Sequence, residues 1–316
     1  MDATPFPANL MEAIRYFSDE ERCRDFVADL RWPNGVECPR EGCGAKRVQF
    51  IATRGIWRCK ECKRQFSVKV GTIFEDSPIG LDKWLTALWV ITAHKKGISS
   101  YQLSRDLSVT QKTAWFMEHR LRLAMRTESF NKPLGGEVEA DETFIGGKET
   151  NKHIDKRSIK KHPSKRGGGT EGKAIVMGLL ERESGQFRAT VVPSTRKGHL
   201  QAQVREHVAP GSNLYTDAHA SYRTLNTDYQ HEVVVHAAEY VRGRVHVNGV
   251  ENFWSLLKRG LSGIYHSVEV EHLDRYLDEF TYRFNSRKET DAQRFRNSVP
   301  RVSGKRLTYA ELTAKA

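Results

Sequence analysis

The sequence predicts an α/β protein in which a mixed sheet with flanking helices follows a small cysteine-rich module and a helical region. Two observations predict this class. Between residues 136 and 290, short apolar or alternating runs are interleaved with helix-length amphipathic stretches, which is typical of a sheet covered by helices. Ahead of residue 75, four of the five cysteines fall within 25 residues. A length of 316 residues is enough for about two domains with a sizeable core.

The charge of the chain points to a polyanionic partner. The formal net charge is +12, which favours nucleic acid, although a basic but ordinary enzyme remains the alternative. A hydrophobic content of 38% with 14 Phe, 10 Tyr and 6 Trp excludes a disordered chain. Apolar runs are too short to cross a bilayer, and no signal peptide is predicted at the start. We therefore expect a cytoplasmic protein.

The cysteines predict one structural zinc ion. They form two close pairs, Cys38 with Cys43 and Cys59 with Cys62. Apolar residues on both sides of Thr53-Arg54-Gly55 predict a hairpin that brings the pairs together. Four thiolates on two tight turns suit tetrahedral zinc. Disulfides or free thiols are the alternative, and a reducing cytosol disfavours disulfides. Cys23 stands apart and is expected to be a half-buried thiol.

The zinc module, expected over 36–75, lies between two helical regions. An N-terminal helical segment is predicted over 1–35, with helical spacing over 6–31, and a further region spans 76–130. There, helices predicted at 98–107 and 110–125 are joined by a short turn and resemble a helix-turn-helix. The second of these helices begins with Gln111, Lys112 and Thr113, where base edges would be met. A plain helical hairpin is the alternative.

The remaining chain predicts the α/β domain, over 136–290, and a C-terminal tail over 291–316. Strands are predicted at 138–145, 174–180, 187–192, 213–217 and 231–236, and helices at 197–208, 249–261 and 270–285. Residues 146–172 form a basic, glycine-rich insertion without periodicity. We interpret this insertion as a loop, either a solvated charge run or a surface for DNA.

Three acidic residues occupy positions from which a metal site could be built. Asp141 lies in a predicted strand, Asp217 ends another, and Glu251 begins a helix. Two-metal phosphoryl transfer needs acidic side chains that converge on a pair of divalent ions. Glu251 and Lys258 are seven residues apart and therefore share one helix face. An ordinary amphipathic helix with a surface glutamate is the alternative. Competing acids are Glu139 and Glu142 for the first position, and Asp228 for the second.

These residues resemble the DDE transposases of bacterial insertion sequences, in the branch with an N-terminal zinc ribbon and a ribonuclease H-like catalytic domain. The motifs that carry the resemblance are Cys38-Pro39 with Cys43, Trp57 to Cys62, Phe66-Ser67, Gly71 to Phe74, Glu139 to Gly147, Tyr215 to Asp217, His246 to Gly260, and Gly263 to His266. They cover most of the chain in the expected order, which is more specific than any single motif.

The resemblance implies metal-dependent DNA strand cleavage and strand transfer at the ends of an insertion sequence. Water and then a freed 3′-hydroxyl would attack a phosphodiester, with two Mg²⁺ or Mn²⁺ ions held by Asp141, Asp217 and Glu251. Between the last two lie 33 residues, close to the usual separation. Some relatives carry asparagine as the third member, so Asn248 competes with Glu251 for that role.

The resemblance also implies the partners. The zinc ribbon and the helices at 98–125 would grip the terminal inverted repeats of double-stranded DNA, and a homodimer would act on paired ends. Basic residues of 146–172 would hold flanking or target DNA. Further candidates for contacts with the metal ligands or with DNA phosphates are His246, Asn248, Lys258 and Arg259.

Three other functions compete with this interpretation. A DNA-binding regulator derived from a transposase would have lost its acidic triad, which is intact here. A nuclease or junction resolvase of the same fold would cut DNA without joining it. A zinc hydrolase is the weakest candidate, because four thiolates make a closed structural site.

Overall fold

The computed structural model describes residues 5–126, 132–147, 172–234, 243–266 and 268–314. The chain forms two compact units, one made of Met1–Arg126 with Ser286–Ala316 and the other of Thr127–Asn285. The predicted basic loop over 146–172 lies outside the described residues except for its first two and its last. Within the described part of the chain, no helix is long and apolar enough to cross a membrane.

The described residues form the following α-helices and strands in chain order. The helices are α1 Leu10–Tyr16, α2 Glu20–Arg31, α3 Leu81–Ala93, α4 Ser100–Leu107, α5 Gln111–Met125, α6 Lys197–His207, α7 Asn248–Gly260, α8 Leu273–Asn285, α9 Asp291–Ser298 and α10 Tyr309–Thr313. The strands are β1 Val48–Ile51, β2 Ile56–Cys59, β3 Gln65–Phe66, β4 Glu137–Ile145, β5 Ala174–Glu181, β6 Phe187–Val192, β7 Asn213–Asp217 and β8 Gln230–Val234.

The helical stretch predicted over 6–31 is divided into α1 and α2. The division lies just before Asp19, whose side chain accepts a hydrogen bond from the Arg22 N–H and so starts a new helix. Next along the chain, the predicted hairpin is confirmed, because β1 and β2 pair antiparallel with Ile51 opposite Ile56. Gly55, at φ 59°, supplies the left-handed conformation that this turn needs.

Residues 291–316, expected to form a tail, instead complete the first unit as far as they are described. Phe295 of α9 is fully buried and packs 6.0 Å from Phe26 and 5.0 Å from Trp89 between ring centroids. The backbone N–H of Ile73 donates to the carbonyl of Val302 at 2.9 Å. Both ends of the chain therefore build one hydrophobic core.

The second unit contains a five-stranded mixed sheet in the order β6-β5-β4-β7-β8. Strands β4 and β6 pair antiparallel with β5, whereas β4 pairs parallel with β7 and β7 with β8. Apolar residues of α7 and α8 cover one face of the sheet, and those of α6 cover the other. This arrangement confirms the predicted mixed α/β sheet with flanking helices.

Over residues 138–141, the central strand β4 presents its acidic and apolar residues on opposite faces. Val138 and Ala140 are fully buried in the core on the α6 side. Since side chains alternate along a strand, Glu139 and Asp141 point to the α7 side. Ala140 pairs with Thr216 of the parallel strand β7, so the middle of β4 lies beside the carboxyl end of β7. Asp141 and Asp217 come directly after these paired residues.

Candidate active site and metal centres

Three carboxylates meet at the middle of β4, beside the carboxyl end of β7. Asp141, Glu142 and Asp217 each offer one oxygen, and these oxygens lie within 4.8 Å of one another. Such a group of oxygen donors suits a hard divalent cation. Two members of the predicted triad are thus brought together. The third member of this group is Glu142, which the sequence suggested only as a competitor of Asp141.

Asp141 is held on the α7 side of the sheet. Its Oδ2 accepts a hydrogen bond of 2.9 Å from the indole Nε1 of Trp254 in α7. Burial raises the pKa of Asp141, the charges of Glu142 and Asp217 add to the rise, and the Trp254 hydrogen bond opposes it, with the result that the pKa reaches about 7. A raised pKa of this kind is expected where like charges are gathered for a metal that would neutralise them.

Glu142 approaches the group from the opposite face. Its Oε2 accepts a hydrogen bond of 2.6 Å from the hydroxyl of Tyr222, which is fully buried. Burial raises the pKa of Glu142, and the charge of Asp217 raises it further against the effects of Tyr222 and His219. Because side chains alternate along a strand, the sequence alone places Glu142 and Asp141 on opposite faces of β4. Only the register between β4 and β7 shows that both carboxylates reach Asp217.

Asp217 ends β7 and organises the loop that follows. Its Oδ1 accepts the backbone N–H of His219 at 3.0 Å, which is a local turn typical of an aspartate at a strand end. Asp228, the predicted competitor, lies elsewhere and forms an ion pair of 2.9 Å with Arg205. The structure therefore separates the two candidates for the second acid.

Glu251 is placed on α7 but is not a member of the three-carboxylate group. It is exposed, as is Asn248 at the first position of the helix. The helix itself is tied to β4 on both sides of Glu251 in the sequence. The N–H groups of Gly249 and Val250 donate to Glu139, and Trp254 donates to Asp141.

The other residues suggested for contacts near the metal site differ in their surroundings. Nδ1 of His246 lies 2.9 Å from an Arg182 guanidinium nitrogen and 3.4 Å from a carboxylate oxygen of Glu139. Lys258 and Arg259 are exposed on the last turns of α7. Their exposure leaves these two cations accessible to a polyanion, whereas His246 belongs to a polar network at the start of the helix.

The four predicted zinc ligands converge. Sulfur atoms of Cys38, Cys43, Cys59 and Cys62 lie within 4.8 Å of one another. The Sγ–Sγ distance is 3.7 Å for two of the pairs, Cys38 with Cys62 and Cys43 with Cys59. Tetrahedral zinc with Zn–S bonds of about 2.3 Å separates its ligands by about 3.8 Å, so the cluster fits this ion. Cys23, predicted to be half-buried, is fully buried and hydrogen-bonds the Phe17 carbonyl.

The predicted helix-turn-helix consists of α4 and α5, with Ser108 in the left-handed conformation between them at φ 50°. Thr110 caps α5 by accepting the N–H of Thr113. Lys112 is exposed and its Nζ lies 4.6 Å from the ring centroid of Tyr309. Gln111 is half-buried and donates to Ser100. Of the three predicted base-contacting residues, Lys112 is therefore the most accessible.

Comparisons with known proteins cover both units. Residues 133–285 match the family model described as the ISXO2-like transposase domain, and residues 18–65 match the transposase zinc-ribbon domain. An uncharacterized protein in transposable element ISH50 of Halobacterium salinarum is 32% identical over 282 residues, which is 86% of this chain and 93% of that protein. An uncharacterized transposase-like protein of Haemophilus influenzae is 34% identical over 97 residues, 30% of this chain and 78% of that protein.

Solved structures give a weaker likeness. The Mos1 strand transfer complex is matched over 71% of this chain and 79% of that chain, with 14% identity and a TM-score of 0.26. A pre-cleavage Mos1 transpososome is matched over 70% and 79%, with 13% identity and the same TM-score of 0.26. At this TM-score the likeness carries no argument about fold or activity.

Proposed function

Because the chain belongs to the ISXO2-like transposase family, with its zinc-ribbon domain, we propose that it cleaves and joins DNA at the ends of its own insertion sequence by two-metal phosphoryl transfer. The observation that carries the proposal is the meeting of Asp141, in the middle of β4, with Asp217, at the carboxyl end of the paired strand β7. Ions bound there would stabilise charge on the phosphodiester oxygens during cleavage and joining.

Asp141 and Asp217 would hold the divalent cations, and the donor set is suited to Mg²⁺ or Mn²⁺ because it consists of carboxylate oxygens. The raised pKa of Asp141 means that a cation must displace a proton at neutral pH. Metal binding would therefore strengthen as the pH rises towards about 7 and level off above it.

Glu251 is our candidate for the third acid. Its helix is bonded to β4 through Glu139 and through Trp254, and these two contacts lie on either side of Glu251 in the sequence. Glu251 is exposed at the start of α7. Asn248, one turn earlier, and Glu142, within the carboxylate group, are the two competitors.

The first unit would bind the terminal inverted repeats. Four cysteines with the spacing of a zinc site would stabilise the ribbon, and the exposed first turn of α5 would enter the major groove with Lys112. A net charge of +12 supports contact with phosphates. Lys258 and Arg259 would contact DNA near the cleaved bond. A homodimer on paired ends, working at the nucleoid in the cytoplasm, completes the proposal.

The test is a cleavage and joining assay on labelled duplexes that carry the two ends of the element, in Mg²⁺ or Mn²⁺. Four variants are compared with the intact protein: Asp141→Asn, Glu251→Gln, Glu142→Gln and Asn248→Ala. We expect joined product from the intact protein and a loss of at least 100-fold in Asp141→Asn and Glu251→Gln, as for removal of a group that stabilises the transition state. Asp228→Asn is the matched control, since Asp228 pairs with Arg205 away from the site.

Each other outcome identifies a different function or ligand. Cleavage without joined product favours the nuclease or resolvase. Binding of the ends without cleavage in either metal favours the regulator. A joined product that survives Glu251→Gln but is lost in Glu142→Gln or Asn248→Ala moves the third ligand to that residue.

A further inference from the structure

Glu139 is a buried acid that the proposed chemistry does not use. It is 1% exposed and lies two residues before Asp141 on the same face of β4. Its Oε2 accepts two hydrogen bonds from the start of α7, 2.8 Å from the N–H of Gly249 and 3.1 Å from the N–H of Val250. The first N–H groups of a helix have no partner within the helix, and a negative charge beside them is favourable.

This contact replaces the usual cap of a helix. The residue before α7 is Val247, whose side chain makes no capping hydrogen bond. A serine, threonine or aspartate at that position would cap α7 within its own segment and leave the helix independent of the sheet. Here the capping oxygen belongs to the strand that carries Asp141. The start of α7 is therefore anchored to β4.

The second oxygen of Glu139 anchors the segment that leads into α7. Glu139 Oε1 accepts a hydrogen bond of 2.7 Å from Nε of Arg182. The same guanidinium donates to the carbonyls of Arg244 at 2.6 Å and His246 at 2.8 Å. Glu139 and Arg182 together hold residues 244–250, so the helix can neither slide along the strand nor rotate without breaking charged hydrogen bonds.

Gly249 shows independently that the approach is close. A Cβ added at this position would lie 2.2 Å from Cδ2 of Leu180 on β5 and 2.9 Å from Oε2 of Glu139. Contacts below 3.0 Å force a neighbour to shift. A side chain at position 249 would therefore displace Leu180, Glu139 or the start of α7.

We infer that Glu139 is a positioning residue for the reaction: it sets the depth and direction of α7 and thereby the place of Glu251 relative to Asp141. The inference rests on the proposed function, because it takes Glu251 as the third metal ligand. A small displacement of a ligand-bearing helix lowers rate and metal affinity together, since the carboxylates no longer converge.

The experiment compares Glu139→Gln with Asp228→Asn in the full-length, zinc-loaded protein. Asp228 is an acid of the same unit, and its ion pair is with Arg205 of α6 instead of the segment that leads into α7. Joining is measured as a function of Mn²⁺ concentration, and hydrogen exchange of a peptide covering 246–254 is measured without added divalent metal. Glu139→Gln keeps the size of the side chain, but its amide nitrogen must face either Arg182 or the helix N–H groups.

We expect Glu139→Gln to lower the maximal joining rate at least tenfold, to raise the half-saturating Mn²⁺ concentration at least tenfold, and to speed exchange at 246–254. Asp228→Asn should stay within about twofold of the intact protein. Glu139→Asp and Gly249→Ala, which shorten the contact or block the approach, should give the same signature. They decide the question if Glu139→Gln does not fold.

Two results would overturn the inference. One is a Glu139→Gln protein with normal rate and normal Mn²⁺ dependence. The other is a loss of rate that only follows the folded fraction, with an unchanged half-saturating Mn²⁺ concentration, because that is the mark of a purely structural residue. If the intact protein itself joins no DNA, the proposed function fails, and hydrogen exchange at 246–254 still tests the anchoring of α7 by Glu139.

Discussion

Replacing Asp141 by asparagine should make the metal-free second unit more stable while abolishing joining. Asp141 lies beside Glu142 and Asp217, and its pKa is raised by burial and by their charges to about 7. At pH 8 the ionised carboxylate of Asp141 lies next to two further acidic side chains. Asparagine removes one of these charges and retains an oxygen that can accept the hydrogen bond from Trp254.

The magnitude follows from the pKa. The carboxyl ionises near 3.8 in the unfolded chain and at about 7 in the fold. Folding therefore takes up a proton between these values, and stability falls as the pH rises through this window and is level above it. A difference of roughly 3 units at 1.36 kcal/mol each sets a ceiling of about 4 kcal/mol. Because Glu142 and Asp217 readjust when one partner is lost, we expect a gain of about 2 kcal/mol at pH 8.

Hydrogen exchange of a peptide covering β4 is the appropriate assay, because it reports on the second unit separately from the first. Exchange is followed from pH 5 to pH 8 in metal-free buffer without a chelator, since a chelator would also remove zinc from the cysteines. Saturating Mn²⁺ should then protect the intact protein by about 2.7 kcal/mol at 100 times its Kd and leave Asp141→Asn nearly unchanged.

Asp228→Asn is the control for this prediction. It removes an acid that is paired with Arg205 at a half-exposed position, so it should cost at most about 1 kcal/mol with little dependence on pH in this range. The reasoning is refuted if Asp141→Asn destabilises β4, or if its stabilising effect is as large at pH 5 as at pH 8.

Three further predictions concern other parts of the molecule. Trp254→Phe removes the hydrogen bond to Asp141 and should raise the pKa of Asp141 by about one unit. Carbon-13 NMR of the metal-free protein measures this pKa, and an unchanged value would contradict the role given to the hydrogen bond. Cys59→Ser should remove the zinc ion, which mass spectrometry measures, and should abolish binding to the element ends. Hydrogen exchange in β4 should be unaffected. Phe295→Ala should destabilise the first unit by about 3–5 kcal/mol, measured as faster hydrogen exchange in α2. Tyr101 is exposed, so the control variant Tyr101→Ala should not change this exchange.

Local chemistry made much of the fold predictable. The turn at Gly55 and the apolar residues beside it predict the β1–β2 hairpin because the signal lies within a few residues. Strand β6 was predicted with the bounds observed, Phe187–Val192, since a turn sequence precedes it. The cluster of Cys38 and its three partner cysteines was also predictable, because the spacing of these residues along the chain indicates a shared site. Membership of the transposase family confirms the resemblance found in these motifs.

Long-range contacts were not predictable in this way. Glu142 joins Asp141 only because of the register between β4 and β7, which no single segment encodes. The N–H groups that donate to Glu139 are 110 and 111 residues away in the sequence. The sequence near Glu139 therefore does not distinguish it from the other acids beside Asp141. Phe295 stands in a short, mostly polar helix, and its burial depends on aromatic residues near the other end of the chain.

The construction of the first unit from both ends of the chain has a consequence for synthesis. Phe295, Val302 and Leu307 are synthesised after the rest of this unit and after the whole second unit. Until then the aromatic core lacks one ring, and Ile73 and Arg120 lack the carbonyls to which they donate. If this unit grips the element ends as proposed, a chain cut short by a premature stop codon retains the zinc ligands but not a finished DNA-binding surface. Interrupted translation would then yield no fragment that occupies the ends and blocks the complete enzyme, so copies with late nonsense mutations should not act as dominant inhibitors of an intact one.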